Sequence, residues 1–305
     1  MASFSHIVKS QILESLNTHK KASYALFGLL SLAKTVQDNN IIFTTENEEI
    51  AHFLIRELKE ICGVNNAAFS KSDKRGHLSF SVNIENSDDI KRIYETIGDI
   101  KTGLKSNALP SSDCIGYVVA GAFLAVGNIT DPNKEYHLEF VVPSVEVCND
   151  LGLILLDNFS ILAKHTSRKN SEIVYIKESE NIEDMLTLMG ASKATLEVMN
   201  VKILKNVRNK VNRVMNCENA NIERTVKASE QQIEDIELIE RTVGLDSLTD
   251  ELYEIAMLRY ENPEFTLKEL GESLTPKISK SGVNHRLEKI KAIANDIRDN
   301  GGRKK

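Results

Sequence analysis

A repeat constrains this chain more than any other feature. Tyr24-x-x-x-Gly28 lies 93 positions before Tyr117-x-x-x-Gly121, Leu54 and Leu58 lie 97 before Leu151 and Leu155, and Gly98 lies 92 before Gly190. Three offsets of nearly one size mean that one structural unit is built twice, with loop lengths absorbing the differences. Each copy opens on a nearly uncharged segment, Tyr24 to Val36 and Tyr117 to Val126, that reads as a buried helix. In the first copy Ile41 to Thr45 is rich in β-formers, and a helix follows with Ile50, Phe53, Leu54, Leu58 and Ile61 on one face and Gly63 at its end. Leu78 to Ile84 alternates as a half-buried strand does, and Ser87 is placed to cap a helix built on Ile90, Ile93, Tyr94 and Ile97. The second copy repeats the order with a strand at Tyr136 to Val142, a helix at Val145 to Leu162, hairpin strands around Lys169-Asn170-Ser171, and a helix at Ile182 to Met189. The expected fold is α+β, a duplicated αββαββα domain over about residues 1–198, with repeats near 20–100 and 113–192.

The remainder reads as helix throughout, in keeping with the two domains that 305 residues favour. A basic helical linker is expected at 199–221, a second, all-α domain at 222–298 and a frayed tail at 299–305. Phe265 to Ile290 has the punctuation of a helix-turn-helix. Thr266 with Glu269 forms a capping box, Pro276 lies in the turn, and the second helix starts at Ser279 with Val283, Leu287 and Ile290 inward.

The net charge of −6 hides a segregation. Residues 201–225 carry six bases against two acids, 230–264 carry eleven acids against two bases, and 266–292 carry six bases against three acids. Surface charge acts within a Debye length of about 8 Å, so the two basic islands are candidates for phosphate contact despite the acidic total. The amino terminus lacks the apolar core of a signal peptide, and the longest uncharged run, Cys114 to Thr130, falls short of a membrane span. Four widely spaced cysteines fit neither a disulfide framework nor a local zinc site. These features predict a cytoplasmic, nucleoid-associated protein without cofactor or metal.

Leu26 to Lys34 and Val119 to Gly127 resemble the paired LAGLIDADG helices of single-chain homing endonucleases, which pack tightly through small residues such as Gly28, Ala120, Gly121 and Ala125. In that family an acid at the eighth motif position of each helix binds the metal that activates water. Here those positions are Ala33 and Val126, with Asp38 and Asp131 displaced beyond them, and Lys34 stands where a glycine is usual. The resemblance thus implies the fold and no catalytic residue. The stretches Lys268 to Glu272, Ser279 to Leu287, Arg208 to Arg213, Asn216 to Asn221 and Gln231 to Glu234 are similar to signature stretches of the WhiA family. That resemblance covers nearly the whole chain. It implies a non-enzymatic, DNA-binding transcriptional regulator of sporulation, cell division or chromosome segregation, joining a degenerate LAGLIDADG-like domain to a helix-turn-helix. The implied partners are double-stranded DNA and, among proteins, another transcription factor or RNA polymerase.

Ser279, Lys280, Ser281, Gly282, Asn284, His285, Arg286 and Lys289 are the expected DNA contacts, since Asn and His can bond base edges and Lys and Arg meet phosphates. Further phosphate contacts are expected from Lys71, Lys74 and Arg75, from Arg168 and Lys169 on the matching hairpin, and from Lys205, Arg208, Lys210 and Arg213 in the linker. Two rival functions are an active homing endonuclease, opposed by Ala33 and Val126, and a protein-interaction or chromosome-organising factor whose helix-turn-helix mainly docks on partners, with the acidic segment as a candidate surface.

Overall fold

A computed structural model describes residues 2–37, 39–74, 76–105, 114–168 and 171–301. The chain divides into two compact units, Met1–Asn206 and Val207–Lys305.

In the first unit a leading helix, α1 (Phe4–Ser15), precedes two copies of one arrangement. The first copy runs α2 (His19–Leu30), β1 (Thr35–Gln37), β2 (Asn40–Thr45), α3 (Glu48–Cys62), β3 (Ala68–Lys74), β4 (His77–Ile84) and α4 (Ser87–Ile97). The second runs α5 (Ile115–Val126), β5 (Gly127–Ile129), β6 (Leu138–Val142), α6 (Val145–Phe159), β7 (Lys164–Arg168), β8 (Ser171–Ile176) and α7 (Ser179–Leu188). Each copy forms a four-stranded antiparallel sheet, ordered β1-β2-β4-β3 and β5-β6-β8-β7. This is the duplicated αββαββα pattern.

Local chemistry accounts for most boundaries and moves three. The expected helix from Tyr24 to Val36 stops at Leu30, and Val36 joins β1 opposite Ile41. The β-branched pair Thr35-Val36 gains more on a pleated ladder than in a further helical turn. The cap of α4 is Asn86 rather than Ser87, because its carboxamide oxygen accepts from both Asp88 N at 2.8 Å and Asp89 N at 3.1 Å. Helix α6 ends at Phe159, where Ser160 takes up a left-handed conformation, φ 57°.

Helices α2 and α5 form the centre of this unit, and their backbones touch. A Cβ on Gly28 would sit 2.0 Å from the Val118 carbonyl oxygen, and one on Gly121 would sit 1.9 Å from that of Ala25. The two glycines are thus reciprocal, each admitting the other helix's main chain. Around this contact Leu26, Phe27, Leu29, Val118, Ala122 and Phe123 are buried. The sheets supply Ile41, Phe43, Phe80 and Val82 from one copy and Leu138, Phe140 and Val174 from the other to the same core.

Helix α8 (Ser192–Thr242) follows. The stretch 199–221 lies inside it without a break. Its start contributes Ala194 and Val198 to the first core, and its end contributes Ile236 and Ile239 to the second. The second unit continues with α9 (Asp250–Glu261), α10 (Leu267–Ser273) and α11 (Lys280–Gly301). Its core joins Leu252, Ile255 and Ala256 of α9 to Leu270 and Leu274 and to Val283, Leu287, Ile290 and Ala294 of α11. Among the described residues no helix is long and apolar enough to cross a membrane.

If the helix contact holds the first unit together, Gly28→Ala and Gly121→Ala should each destabilise it by about 1–3 kcal/mol, since backbone must move to admit the methyl. Gly152→Ala on α6, where a Cβ meets nothing within 4 Å, should be neutral or stabilising by up to about 1 kcal/mol. Urea unfolding of the three variants measures the contrast.

Candidate nucleic-acid interface

The helix-turn-helix begins with a fully formed capping box. Thr266 N–H donates to Glu269 Oε2 at 2.7 Å, and Glu269 N–H donates to Thr266 Oγ1 at 3.4 Å. The Thr266 N–H, with the Thr266 side chain as a second contribution, holds the Glu269 carboxyl below its ordinary value. Gly271 makes the turn possible, because a Cβ there would lie 2.4 Å from the Ile278 carbonyl oxygen. Ile278 N–H in turn donates to the Gly271 carbonyl at 3.1 Å.

Helix α11 starts on a Ser279 cap, whose Oγ accepts from Gly282 N at 3.2 Å. Its buried stripe, Val283, Leu287, Ile290 and Ala294, leaves Lys280, Ser281, Asn284, His285 and Lys289 exposed on the other side. The far end is pinned by Arg298, whose Nη2 meets the buried Asp235 Oδ1 on α8 at 2.6 Å. Two expected contacts sit differently from the rest. Gly282 is half-buried, and a Cβ there would make ordinary contact with Ile278 at 3.5 Å. Arg286 is mostly covered and turns to Glu251 of α9 at 3.6 Å, so the acidic segment takes up that charge.

Between α9 and α10 a buried arginine organises the loop. Arg259 is 2% exposed, and its Nη1 donates to the carbonyls of Phe265 at 2.7 Å, Pro263 at 3.3 Å and Asn262 at 3.4 Å. Ser229 of α8 donates to the same Pro263 carbonyl at 2.6 Å. These bonds satisfy loop carbonyls that no regular element serves and tie α8 to the start of α10. Burial lowers the Arg259 pKa, with nearby Glu264 opposing the shift.

The basic residues of the first unit and of α8 are divided by the fold. Lys71 shares its side of the sheet with Phe80, its register partner, and its Nζ lies over that ring at 5.3 Å and 4.0 Å from Glu48 of α3. It therefore faces the helix layer, not the outer surface of the sheet, because strand alternation puts odd positions of β3 inward. The outer surface there carries hydroxyls, with Ser70 paired to Ser81 and Ser72 to Ser79. Lys74 ends β3 opposite His77, Arg168 is exposed at the end of β7, and Arg75 and Lys169 lie outside the described residues. Lys205 is also engaged, donating to the Pro132 carbonyl at 2.6 Å with its Nζ 4.5 Å from the Tyr136 ring centre. Arg208, Lys210 and Arg213 are exposed on α8.

Two family models match this chain, the WhiA LAGLIDADG-like domain over residues 115–208 and the WhiA C-terminal HTH domain over residues 211–294. A probable cell division protein WhiA from Clostridium perfringens is 39% identical, covering 97% of this chain and 98% of its own. The corresponding protein of Clostridium botulinum is 36% identical over 97% of this chain and 99% of its own. The chain belongs to the WhiA family. The crystal structure of full-length WhiA from T. maritima has the same fold, with a TM-score of 0.59 at 23% identity, covering 96% of this chain and 97% of that one.

In this WhiA-family chain the ends of the paired helices hold a different chemistry from an acid pair. Ala33 and Val126 are both half-buried against the core. Val126 lines a cavity of about 750 Å³ together with His6, Lys9, Glu46, Asn47 and Asn128. Burial pushes the Lys9 ammonium down to about 8, with Glu46 opposing. Of the displaced acids, Asp131 accepts from Asn133 N at 2.8 Å and Asn133 Nδ2 at 3.0 Å, and the backbone bond leads in lowering its pKa. It closes a turn. Asp38 lies outside the described residues. Sequence reasoning missed Lys9, whose one available signal is its place beside Val8 on the amphipathic α1, and missed Arg259, a lone base in an acidic run.

The capping box carries a prediction. Thr266→Ala should cost the second unit about 1 kcal/mol, read as faster amide exchange at Leu270 and Val283. Because the folded-state pKa of Glu269 is depressed, its contribution is present above the unfolded carboxyl pKa and lost as pH falls through the folded one. Glu269→Gln should accordingly flatten the acid limb of stability against pH.

Proposed function

We propose that this protein is a non-enzymatic, sequence-specific binder of double-stranded DNA that regulates transcription of cell-division genes. The observation that carries the reading is the exposed stripe of Lys280, Ser281, Asn284, His285 and Lys289 on a helix whose other side is fixed in a core. A helix of about 10–12 Å diameter with short polar side chains matches the major groove, and amide and imidazole groups bond base edges there. Its capped start and pinned end hold those groups in one orientation, as readout requires. The name of the clostridial relatives supports the cell-division context. Sporulation and chromosome segregation are further processes that such a regulator serves, acting alone or with a second transcription factor or RNA polymerase. In this reading the domains are 1–198 and 222–298, joined by 199–221, with Ser279 and Lys280 at the phosphate end of the reading helix and Arg168, Arg208, Lys210 and Arg213 as outlying contacts.

Hydrolysis is not expected, because alkyl side chains at Ala33 and Val126 supply no oxygen to a divalent cation. A plasmid carrying the bound site should stay intact with Mg²⁺ or Mn²⁺, and site-specific cleavage abolished by chelation would show the nuclease reading to be right.

Binding to a duplex selected by the wild-type protein and to a scrambled duplex separates reading from positioning. Asn284→Ala and His285→Ala should each narrow the preference by about 1–3 kcal/mol, whereas Lys280→Ala should weaken both duplexes alike. Arg286→Ala should do less than Lys280→Ala, since Glu251 already holds its guanidinium. Unchanged preference in both Asn284→Ala and His285→Ala would remove α11 as the reading element and favour the docking-factor alternative.

A further inference from the structure

The second unit holds a groove that borders the reading stripe and extends beyond it to three other helices. It measures about 480 Å³, and Arg224 of α8, Arg259 of α9, Lys268 of α10 and Lys280 and Asn284 of α11 line it. Four cations from four helices thus meet at one recess. Among the described residues Arg224 and Lys280 have no ion-pair partner, and Lys268 reaches Glu272 only at 3.8 Å in solvent. Glu288 is the one acid at the groove. Arg259 is buried, and its Nε has no hydrogen-bond partner even though Nη1 serves the loop carbonyls. Holding this charge out of water costs free energy, which an anion seated in the recess offsets through its opposite charge. The geometry of the fold also says why such a cost is kept, since Arg259 is fixed by the loop it closes and cannot turn away.

The groove lies against the first turn of α11, beside the Asn284 that faces outward for base contact. A basic recess beside a base-reading side chain suits the backbone of the strand being read. We propose that this groove seats a backbone phosphate of the bound duplex, with Arg224 and Lys268 closing on it from either side, so that the long helix α8 is part of the DNA-binding surface. This rests on the duplex-binding reading above. Arg224 continues an exposed basic row on α8, since Arg213 lies eleven residues earlier and therefore on nearly the same side of the helix.

The test uses the full-length protein, with fluorescence anisotropy on the selected and scrambled duplexes across a salt series. Arg224→Gln and Lys268→Gln should each weaken both duplexes equally and lower the slope of log affinity against log salt by about one. Between 50 and 200 mM salt, losing one such contact reduces the loss of affinity about three- to fourfold. Arg224→Lys should restore most of the slope. Both residues are on the surface side of their helices, and circular dichroism should show unaltered melting. Wild-type slopes in both Gln variants, with Asn284→Ala still relaxing preference, would overturn the groove assignment while leaving the duplex reading intact. Failure of the wild-type protein to bind any duplex would overturn the reading beneath it. Inorganic phosphate that stabilises the wild type but not Arg224→Gln, with DNA slopes unchanged, would assign the groove to free phosphate and overturn the proposal.

Discussion

The first unit depends on one contact, the approach of the α2 and α5 backbones at Gly28 and Gly121. Because each missing Cβ makes room for a carbonyl of the opposite helix, the two helices meet as a matched pair. Everything built outward inherits that symmetry. Each helix leads into a hairpin, each hairpin into a sheet, and both sheets deliver their inward residues to one continuous core. A methyl at either glycine meets main chain, which is why the contact cannot relax by a rotamer change alone.

The second unit has an analogous anchor of a different kind. There the constraint is polar, with Arg259 donating to three loop carbonyls between α9 and α10 while Ser229 of α8 shares one of them. The arrangement lets α10 start at a fixed angle, and Gly271 then lets the turn pass close enough for Val283 and Leu287 to reach the core. Asp235 and Arg298 close the other end. A helix held at both ends can present Asn284 and His285 in a single orientation, which is a precondition for distinguishing bases and not for merely attracting DNA.

The duplication, the two sheets and the helix-turn-helix were legible in the sequence because each is written in periodicity, caps or glycine spacing. Tyr24 to Val36 shows where that legibility stops. Apolar content marked the segment as buried but could not say that the helix ends at Leu30, since the competing element, a short strand, exists only when β2 is there to pair with it. The same limit governs charge. Lys71, Lys205 and Arg286 look alike as bases in a sequence, yet the fold gives them Glu48 and Phe80, the Pro132 carbonyl with Tyr136, and Glu251 respectively. Local composition cannot foretell a partner tens of residues away.

By itself the sequence determined what is local or repeated, because hydrophobic period, capping residues and small-residue spacing act over a few turns and need no distant partner. It therefore settled the repeat, most element types, the Thr266 capping box and the identity of Ala33 and Val126. Tertiary structure alone decided which charges remain available. Helices α8 to α11 bring Arg224, Arg259, Lys268 and Lys280 to one groove from positions spread over 56 residues, and only packing, which depends on shape complementarity across those distances, can assemble such a group.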